Sequence, residues 1–207
     1  MTQLTQVSKE AKTIIAAILA TLKENGDTSI KIDNNAENSG IMPLHVELIG
    51  TGIESYCGIG NLYSFAHYYE QNGDLMKDPE IVYYVVDNRG EDVGNMDMLG
   101  VFPQMWQQDG VIGGYRELIT IENNKLKSFI PKLQKETAQF TGQWMRNIKW
   151  QQNIVPVKET RSQAARPSTI KDKYVKLLEA AKQLGFTSIN DAIQAGKEQE
   201  LFRIVGS

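Results

Sequence analysis

The stretch LYSFAHYYEQNGDLMKDPEIVYYVVD, residues 62–87, contains two tyrosine-rich apolar segments separated by an Asn-Gly pair. Tyr63, Phe65 and Tyr69 occupy alternate positions before that pair, and a β-branched and aromatic run, residues 80–86, follows it. Alternating apolar residues are typical of strands, and Asn-Gly is a strong signal for a tight hairpin turn. The stretch therefore predicts an antiparallel hairpin.

Other segments on both sides of this hairpin have strand or helix patterns. The further strand candidates are residues 42–50, 98–106 and 115–122. Pro103 lacks an amide donor, which predicts an edge or a bulge for its strand. Residues 8–24 carry an apolar stripe at helical spacing, with Ser8 as N-cap and Asn25-Gly26 at the end. Five strands joined by turns predict an antiparallel meander, with this helix packed on one face.

The apolar spacing becomes helical again from residue 126. Residues 126–150 read as one helix, and Pro131 suits its first turn. A polar linker with two prolines, residues 153–168, separates it from a second helix over 169–184, for which Ser168 is a candidate cap and Gly185 the stop signal. The C-terminal region is therefore predicted to be helical.

These patterns predict an α+β protein. An N-terminal helix packs on an antiparallel β-meander of about five strands, and a basic helical C-terminal region follows. We expect an acidic domain over residues 1–124 and a basic region over 125–207. The oligomeric state does not follow from these patterns.

The net charge of −3 conceals a strong asymmetry along the chain. Residues 1–110 hold 6 Lys+Arg against 16 Asp+Glu, whereas residues 111–207 hold 16 against 9. Charge separation of this size concerns partners rather than fold. The two halves either face each other or each face a partner of opposite sign.

Composition excludes several protein classes. The 207 residues are 41% hydrophobic and 23% charged, which is ordinary for a globular protein, and no apolar run is long enough to span a bilayer. The N-terminus lacks the features of a signal peptide, so we expect a location in the cytoplasm of a bacterial host cell and no membrane partner. Cys57 is the single cysteine, which excludes an internal disulfide and a multi-thiolate zinc site. Neither a P-loop, a dinucleotide-binding fingerprint, an HExxH motif nor a Gly-x-Ser-x-Gly motif is present, and we expect no cofactor and no metal.

The central hairpin carries residues that have both a chemical and a structural interpretation. They are His67, Tyr69, Glu70, Asn72, Gly73, Asp74, Asp78 and Glu80. A histidine among carboxylates is compatible with a metal-dependent hydrolase or nuclease centred on His67. Asn-Gly-Asp is also turn chemistry in its own right, and carboxylates are favourable at a solvated hairpin tip. The structural interpretation is the stronger one.

This segment resembles an uncharacterised domain found in proteins of plasmids, conjugative elements and phages. The resemblance rests on His67-Tyr68, Gln71-Asn72-Gly73-Asp74, Leu75-Met76 and Asp78-Pro79-Glu80, together with His45-Val46-Glu47-Leu48, Gln108-Asp109-Gly110 and Gly114-Tyr115. It covers about residues 42–121. The resemblance implies a context, accessory cargo of mobile genetic elements, and no active site that could be carried over.

The basic half offers a candidate binding surface. Residues 125–182 hold 13 Lys+Arg against 4 acids, with aromatic side chains between them. The candidate nucleic-acid or partner-binding residues are Lys125, Lys127, Lys132, Lys135, Arg146, Lys149, Trp150, Arg161, Arg166, Lys171 and Lys173. Basic charge with interleaved aromatics suits phosphate binding and base stacking. In the alternative interpretation, Phe129, Phe140 and Trp144 form the buried stripe of one helix and the lysines form its solvated face.

The resulting functional hypothesis is a non-catalytic binding protein of a mobile genetic element or phage. Its expected role is to interfere with a host defence nuclease, of CRISPR or restriction type, by binding it or by competing with its nucleic acid. The expected partner is a host protein such as a nuclease or a nucleoprotein complex, or DNA or RNA itself. The alternatives are the metal-dependent hydrolase and a simple DNA- or RNA-binding accessory protein.

Overall fold

The computed structural model describes residues 3–35, 37, 40–112, 114–159, 180–187 and 195–197, and the chain divides into two compact units, residues 1–161 and 162–207. The first unit comprises helix α1 (Lys9–Glu24), strands β1 (Ser29–Ile32), β2 (Leu44–Ser55), β3 (Gly58–Gln71), β4 (Asp74–Asp87), β5 (Leu99–Gln107), β6 (Tyr115–Glu117), β7 (Ile119–Glu122) and β8 (Lys125–Phe129), and helix α2 (Pro131–Gln151). A 3₁₀ turn, Met96–Met98, precedes β5. The first unit therefore has mixed α/β content.

Helix α1 begins and ends where its sequence predicts. The Ser8 side chain accepts a hydrogen bond from the Ala11 amide at 3.2 Å, and Gly26 has a φ of +71° just beyond the helix. The predicted stripe is buried against the sheet. Its most buried members are Ile14, Ile15 and Ile18. Local capping and helical spacing were sufficient to predict this element.

The predicted central hairpin is confirmed and is longer than the sequence indicated. Asn72 and Gly73 have φ values of 55° and 87°, as a two-residue type I′ turn requires, and Gln71 pairs with Asp74 across it. β3 and β4 each contain 14 residues. β4 begins at Asp74, directly after the turn, and therefore includes residues 74–79 as well as the predicted run 80–86. This hairpin forms the middle of the sheet.

The sheet has eight strands rather than the predicted five. Its order is β6-β5-β4-β3-β2-β8-β7, with β1 paired to β2. All pairs are antiparallel except β2 with β8, which pair at Glu54 and Lys125. The sheet also curls. β7 ends one side of this order and β5 lies near the other side, yet the Leu118 amide immediately before β7 donates to the Gln104 carbonyl of β5 at 2.7 Å. A simple meander does not describe this topology.

Two segments differ from their predicted form. Residues 126–129, predicted as the start of a helix, belong to β8, because Asn123 and Asn124 both have positive φ and turn the chain back onto β7. The segment 115–122, predicted as one strand, is interrupted at Leu118 and divides into β6 and β7. Helix α2 begins at Pro131, the residue predicted for its first turn.

The predicted irregularity at Pro103 is a bulge. Pro103 pairs with Tyr83 and Met105 pairs with Val82, so Gln104 is an additional residue in β5. A bulge places the missing amide of proline where the ladder is already interrupted.

Two apolar cores lie on the two sides of the curled sheet. The larger core lies between the sheet and the two helices and includes Trp144 and Ile148 of α2. The smaller core lies inside the curl, where Phe129 packs beside Phe102 and Tyr84. The predicted aromatic stripe of α2 is therefore confirmed for Trp144 and wrong for Phe129, which belongs to β8. It is also wrong for Phe140, whose exposed fraction is 44%.

The second unit is described at residues 180–187 and 195–197. Gly185, with a φ of +86°, ends the helical turn at Ala180–Lys182: the Phe186 amide donates to the Ala181 carbonyl at 2.9 Å and the Gly185 amide to the Lys182 carbonyl at 3.0 Å. This Schellman arrangement confirms the predicted stop. The predicted cap Ser168 and most of the 169–184 helix lie outside the described residues. Among the helices that the structure describes, none has the length and apolarity needed to cross a membrane.

Candidate functional site

His67 is a packing residue in the interior. Its ring is 3% exposed, Nδ1 lies 3.0 Å from the Pro43 carbonyl oxygen, and the ring meets the Trp144 indole edge-on at 5.5 Å between centroids. Burial lowers the pKa of His67, and the Pro43 carbonyl opposes that shift only in part. A neutral, enclosed imidazole between the sheet and α2 supports packing rather than solvent-facing chemistry.

Glu80 is a buried carboxylate with two donors. It is 8% exposed, accepts from Ser64 Oγ at 2.5 Å, and forms an ion pair with the Lys77 ammonium group. Lys77 Nζ also donates to Gln107 Oε1 at 3.2 Å. Buried carboxylates need such partners, so this set stabilises the middle of the β3–β4 hairpin and its junction with β5.

The loop that follows β5 is fastened to the same hairpin. Asp109 accepts from the Lys77 amide and from Gln107 Nε2, both at 2.9 Å. These two donors, the Lys77 amide first, lower the pKa of Asp109. Gln108 Nε2 donates to Asp78 Oδ1 at 2.8 Å. The residues that carry the family resemblance therefore hold two segments of the fold together.

The remaining hairpin residues point to a structural role as well. Glu70 and Asp74 are exposed at the tip. Since Ala66 pairs with Glu80 and Gln71 with Asp74, they lie about 13 Å and about 17 Å from the level of Glu80 by strand rise. The half-buried Tyr69 hydroxyl lies beside Gly110. Throughout the described residues, no three His, Cys, Asp or Glu side chains come together in a way that could hold a metal ion. The hairpin residues proposed for a hydrolase thus do not converge on one point.

A small polar cleft of about 290 Å³ lies on the face of the sheet opposite the helices. Lys31, His45 and Glu47 are among its lining residues, and the His45 ring meets Tyr68 edge-on at 5.2 Å between centroids. Burial, then the Lys31 charge, lowers the pKa of His45. Covalent catalysis requires a base that is hydrogen-bonded to a nucleophile and oriented by a third group. Within the described ranges, His45 forms no hydrogen bond with a nucleophile or a carboxylate.

Helix α2 brings five of the predicted binding residues onto one element. They are Lys132, Lys135, Arg146, Lys149 and Trp150, and all are exposed. Glu136 is the acid in the same helix. Among the described residues, no carboxylate forms an ion pair with Lys132, Lys135 or Lys149. The outer face of α2 is thus a basic surface, which we call the α2 face and define by its four cationic residues, Lys132, Lys135, Arg146 and Lys149.

The other predicted basic residues lie elsewhere. Lys125 and Lys127 are on β8, where they form ion pairs with Glu54 at 3.3 Å and with Glu122 at 2.5 Å. Each of these two lysines therefore already has a carboxylate partner. Arg161, Arg166, Lys171 and Lys173 lie outside the described residues.

The end of the α2 face borders a groove of about 470 Å³, which we call the Trp150 groove. It is lined by Glu10, Arg146, Lys149, Trp150, Asn153 and Ile154. The Trp150 side chain is 78% exposed, and Arg146 Nη1 lies 3.2 Å from Glu10 Oε2. Sequence reasoning missed Glu10, because 136 positions separate it from Arg146 and no local pattern relates them.

A family model described as "Domain of unknown function (DUF6908)" matches residues 13–154, which span most of α1, all eight strands and the whole of α2. No curated protein and no solved structure matches the chain. The matched segment includes both the α2 face and the contacts of Lys77 with Glu80 and Asp109 in the hairpin.

Proposed function

We propose that this chain, which belongs to the family described as Domain of unknown function (DUF6908), is a non-catalytic protein that binds nucleic acid through its α2 face. The observation that carries the proposal is the set of three exposed lysines, Lys132, Lys135 and Lys149, that project from one helix without a local carboxylate partner among the described residues. Phosphates neutralise such charges and release counterions from the nucleic acid, which is the main source of affinity in sequence-independent binding.

Rigid attachment of α2 to the sheet supports this proposal. The Gln134 side chain is fully buried, donates to the Pro103 carbonyl at 3.1 Å and accepts from the Thr5 amide at 3.0 Å. Trp144 and Ile148 bury the opposite side of the helix. Because the helix is held along its length, the backbone positions that carry its lysines have a defined spacing, and the helix need not be ordered when phosphates bind.

The biological setting extends the proposal. The resemblance of residues 42–121 to domains of plasmids, conjugative elements and phages suggests an accessory protein of a mobile genetic element. A protein that covers phosphates without cleaving them would interfere with a host defence nuclease by competing for its nucleic acid. Competition needs no catalytic residues, which agrees with the packing role of His67 and Glu80 in the hairpin.

Fluorescence anisotropy with labelled DNA across a salt series tests the proposal. The test variant replaces Lys132, Lys135 and Lys149 with glutamine. The matched control replaces three other lysines, Lys23, Lys125 and Lys127, with glutamine. These lysines carry the same charge but already form ion pairs with Asp87, Glu54 and Glu122.

The wild type is expected to bind with an affinity that falls as salt rises. The test variant is expected to reduce the slope of log affinity against log salt by about one for each phosphate-contacting lysine. The control variant is expected to retain the wild-type slope. Absence of salt-dependent binding by the wild type, or an equal loss in both variants, would contradict the proposal.

A further inference from the structure

The indole of Trp150 in the Trp150 groove is exposed and does not contribute to either apolar core. Trp150 is 78% exposed, whereas Trp144, six residues earlier on the same helix, is 7% exposed and belongs to the main core. An exposed tryptophan beside cationic side chains is a feature of surfaces that stack on nucleobases.

We infer that the Trp150 groove is a stacking site for one unpaired nucleobase, so that the chain favours single-stranded over double-stranded nucleic acid. This inference rests on the proposed function and specifies the form of nucleic acid bound. The indole provides a flat apolar surface, and Ile154 provides a second apolar contact in the same groove. Arg146 and Lys149 lie beside the indole, where they can contact the phosphates that flank the stacked base.

Base stacking decides the preference for single strands. In a duplex both faces of each base are already covered by neighbouring bases, so an exposed indole on a helix gains nothing without unstacking one of them. In a single strand a base is free to leave its neighbours and stack on an aromatic side chain. The lysines of the α2 face contact phosphates of either form, whereas Trp150 distinguishes between them.

Glu10 already pairs with Arg146 in the groove and therefore lowers the affinity of this guanidinium group for an incoming phosphate. The Glu10 carboxylate lies 3.2 Å from Arg146 Nη1, and both side chains are about half exposed, at 50% and 56%. A phosphate that approaches Arg146 competes with Glu10 for the same guanidinium group. An uncharged aromatic ligand does not compete for it and gains only the stacking contact.

The test measures the affinity of the full chain for two probes, a short oligothymidine and a DNA duplex. Trp150→Ala is expected to weaken binding of the oligothymidine about 5- to 150-fold, the range expected for the loss of one stacked base. Duplex affinity is expected to remain near the wild-type value. Trp150→Phe retains an aromatic ring and is expected to restore most of the single-strand affinity.

Phe140→Ala provides the matched control, because Phe140 is a partly exposed aromatic on the same helix outside the groove. It is expected to leave the preference for the oligothymidine unchanged. Tryptophan fluorescence gives an independent readout. The oligothymidine is expected to quench the emission of the wild type, and the quenching is expected to disappear in Trp150→Phe, which retains Trp106 and Trp144.

The outcomes separate the two proposals. If the wild type binds both probes equally, or if Trp150→Ala weakens both by the same factor, the stacking inference is wrong and the proposed function stands. If the wild type binds neither probe, the proposed function fails, and the stacking inference fails with it. Single-strand binding that depends on Trp150 supports both.

Discussion

Tyr83 in β4 and Thr141 in α2 join the sheet to the helix by a hydrogen bond of 3.1 Å between their hydroxyl oxygens. Thr141 Oγ1 donates to the Thr137 carbonyl at 2.8 Å, so the Tyr83 phenol is the donor to Thr141. Both side chains are fully buried, and burial raises the pKa of the phenol, which keeps the donor protonated. The bond connects the centre of the hairpin to the helix that carries the α2 face.

Removing the acceptor is expected to destabilise the protein more than removing the donor. Thr141→Val leaves the Tyr83 hydroxyl buried without an acceptor, at a cost of about 1–3 kcal/mol in the free energy of unfolding. Tyr83→Phe leaves Thr141 still bonded to Thr137 and is expected to cost about 0.5–1.5 kcal/mol. Urea denaturation measures both. A milder effect for Thr141→Val than for Tyr83→Phe would contradict this assignment of donor and acceptor.

The hairpin motif is expected to matter for stability in its middle and not at its tip. Glu80→Ala leaves Ser64 and Lys77 without their shared acceptor and is expected to lower the free energy of unfolding by about 2 kcal/mol, less than for a fully buried pair because Lys77 is 30% exposed. Asp74→Ala, at the exposed tip, is expected to change it by about 0.5 kcal/mol or less. Thermal unfolding compares the two. Equal losses would show that the tip has a role that its contacts do not explain.

Stability is expected to fall in mild acid because of His67. Burial lowers the pKa of His67 below the value of about 6.5 for an exposed histidine, so the unfolded chain takes up this proton first as pH falls. The contribution of His67 is complete above that pH and is lost as pH decreases from about 6.5 toward the folded-state pKa.

Urea denaturation between mildly acidic and neutral pH measures this dependence. His67→Gln is expected to flatten the curve in that window. His45→Gln is the control: burial also lowers the pKa of His45, but this ring is less buried, so its removal is expected to flatten the curve less. A larger effect from His45 than from His67 would overturn the assignment.

Glu10→Gln is expected to strengthen nucleic-acid binding. The substitution frees Arg146 and removes a negative charge from the Trp150 groove, and an exposed ion pair of this kind corresponds to about a 2- to 5-fold gain in affinity. Glu24→Gln makes the same charge change at the other end of α1, about 20 Å away by helix rise, and is the matched control. Anisotropy at low salt compares the two. Equal gains would indicate a general charge effect rather than competition at Arg146.

Features that depend on a few neighbouring residues could be predicted from the sequence. The positive φ values of Asn72 and Gly73, the cap at Ser8 and the place of Pro131 in the first turn of α2 each follow from local backbone preferences. The bulge at Pro103 follows from a missing amide. The basic composition of α2 was also visible, because a charge does not depend on the fold.

Features that depend on long-range pairing could not be predicted. Residues 125–129 have a spacing that suits a helix or a strand, and their pairing with β7 and β2 made them a strand. His67 and Glu80 looked like ligands in a line of sequence, and burial against Trp144 and Ser64 made them packing groups. No local pattern relates these partners.

The candidate binding surface likewise combines properties that follow from the sequence with properties that follow from the fold. The sequence by itself determined which residues could bind phosphate, because lysine and arginine carry their charge in any fold. The tertiary structure decided which of those charges remain available: β8 pairs Lys125 with Glu54, whereas α2 leaves Lys149 exposed. It also placed Glu10 against Arg146, since the packing of α1 on α2 brings together two residues that are 136 positions apart in the chain.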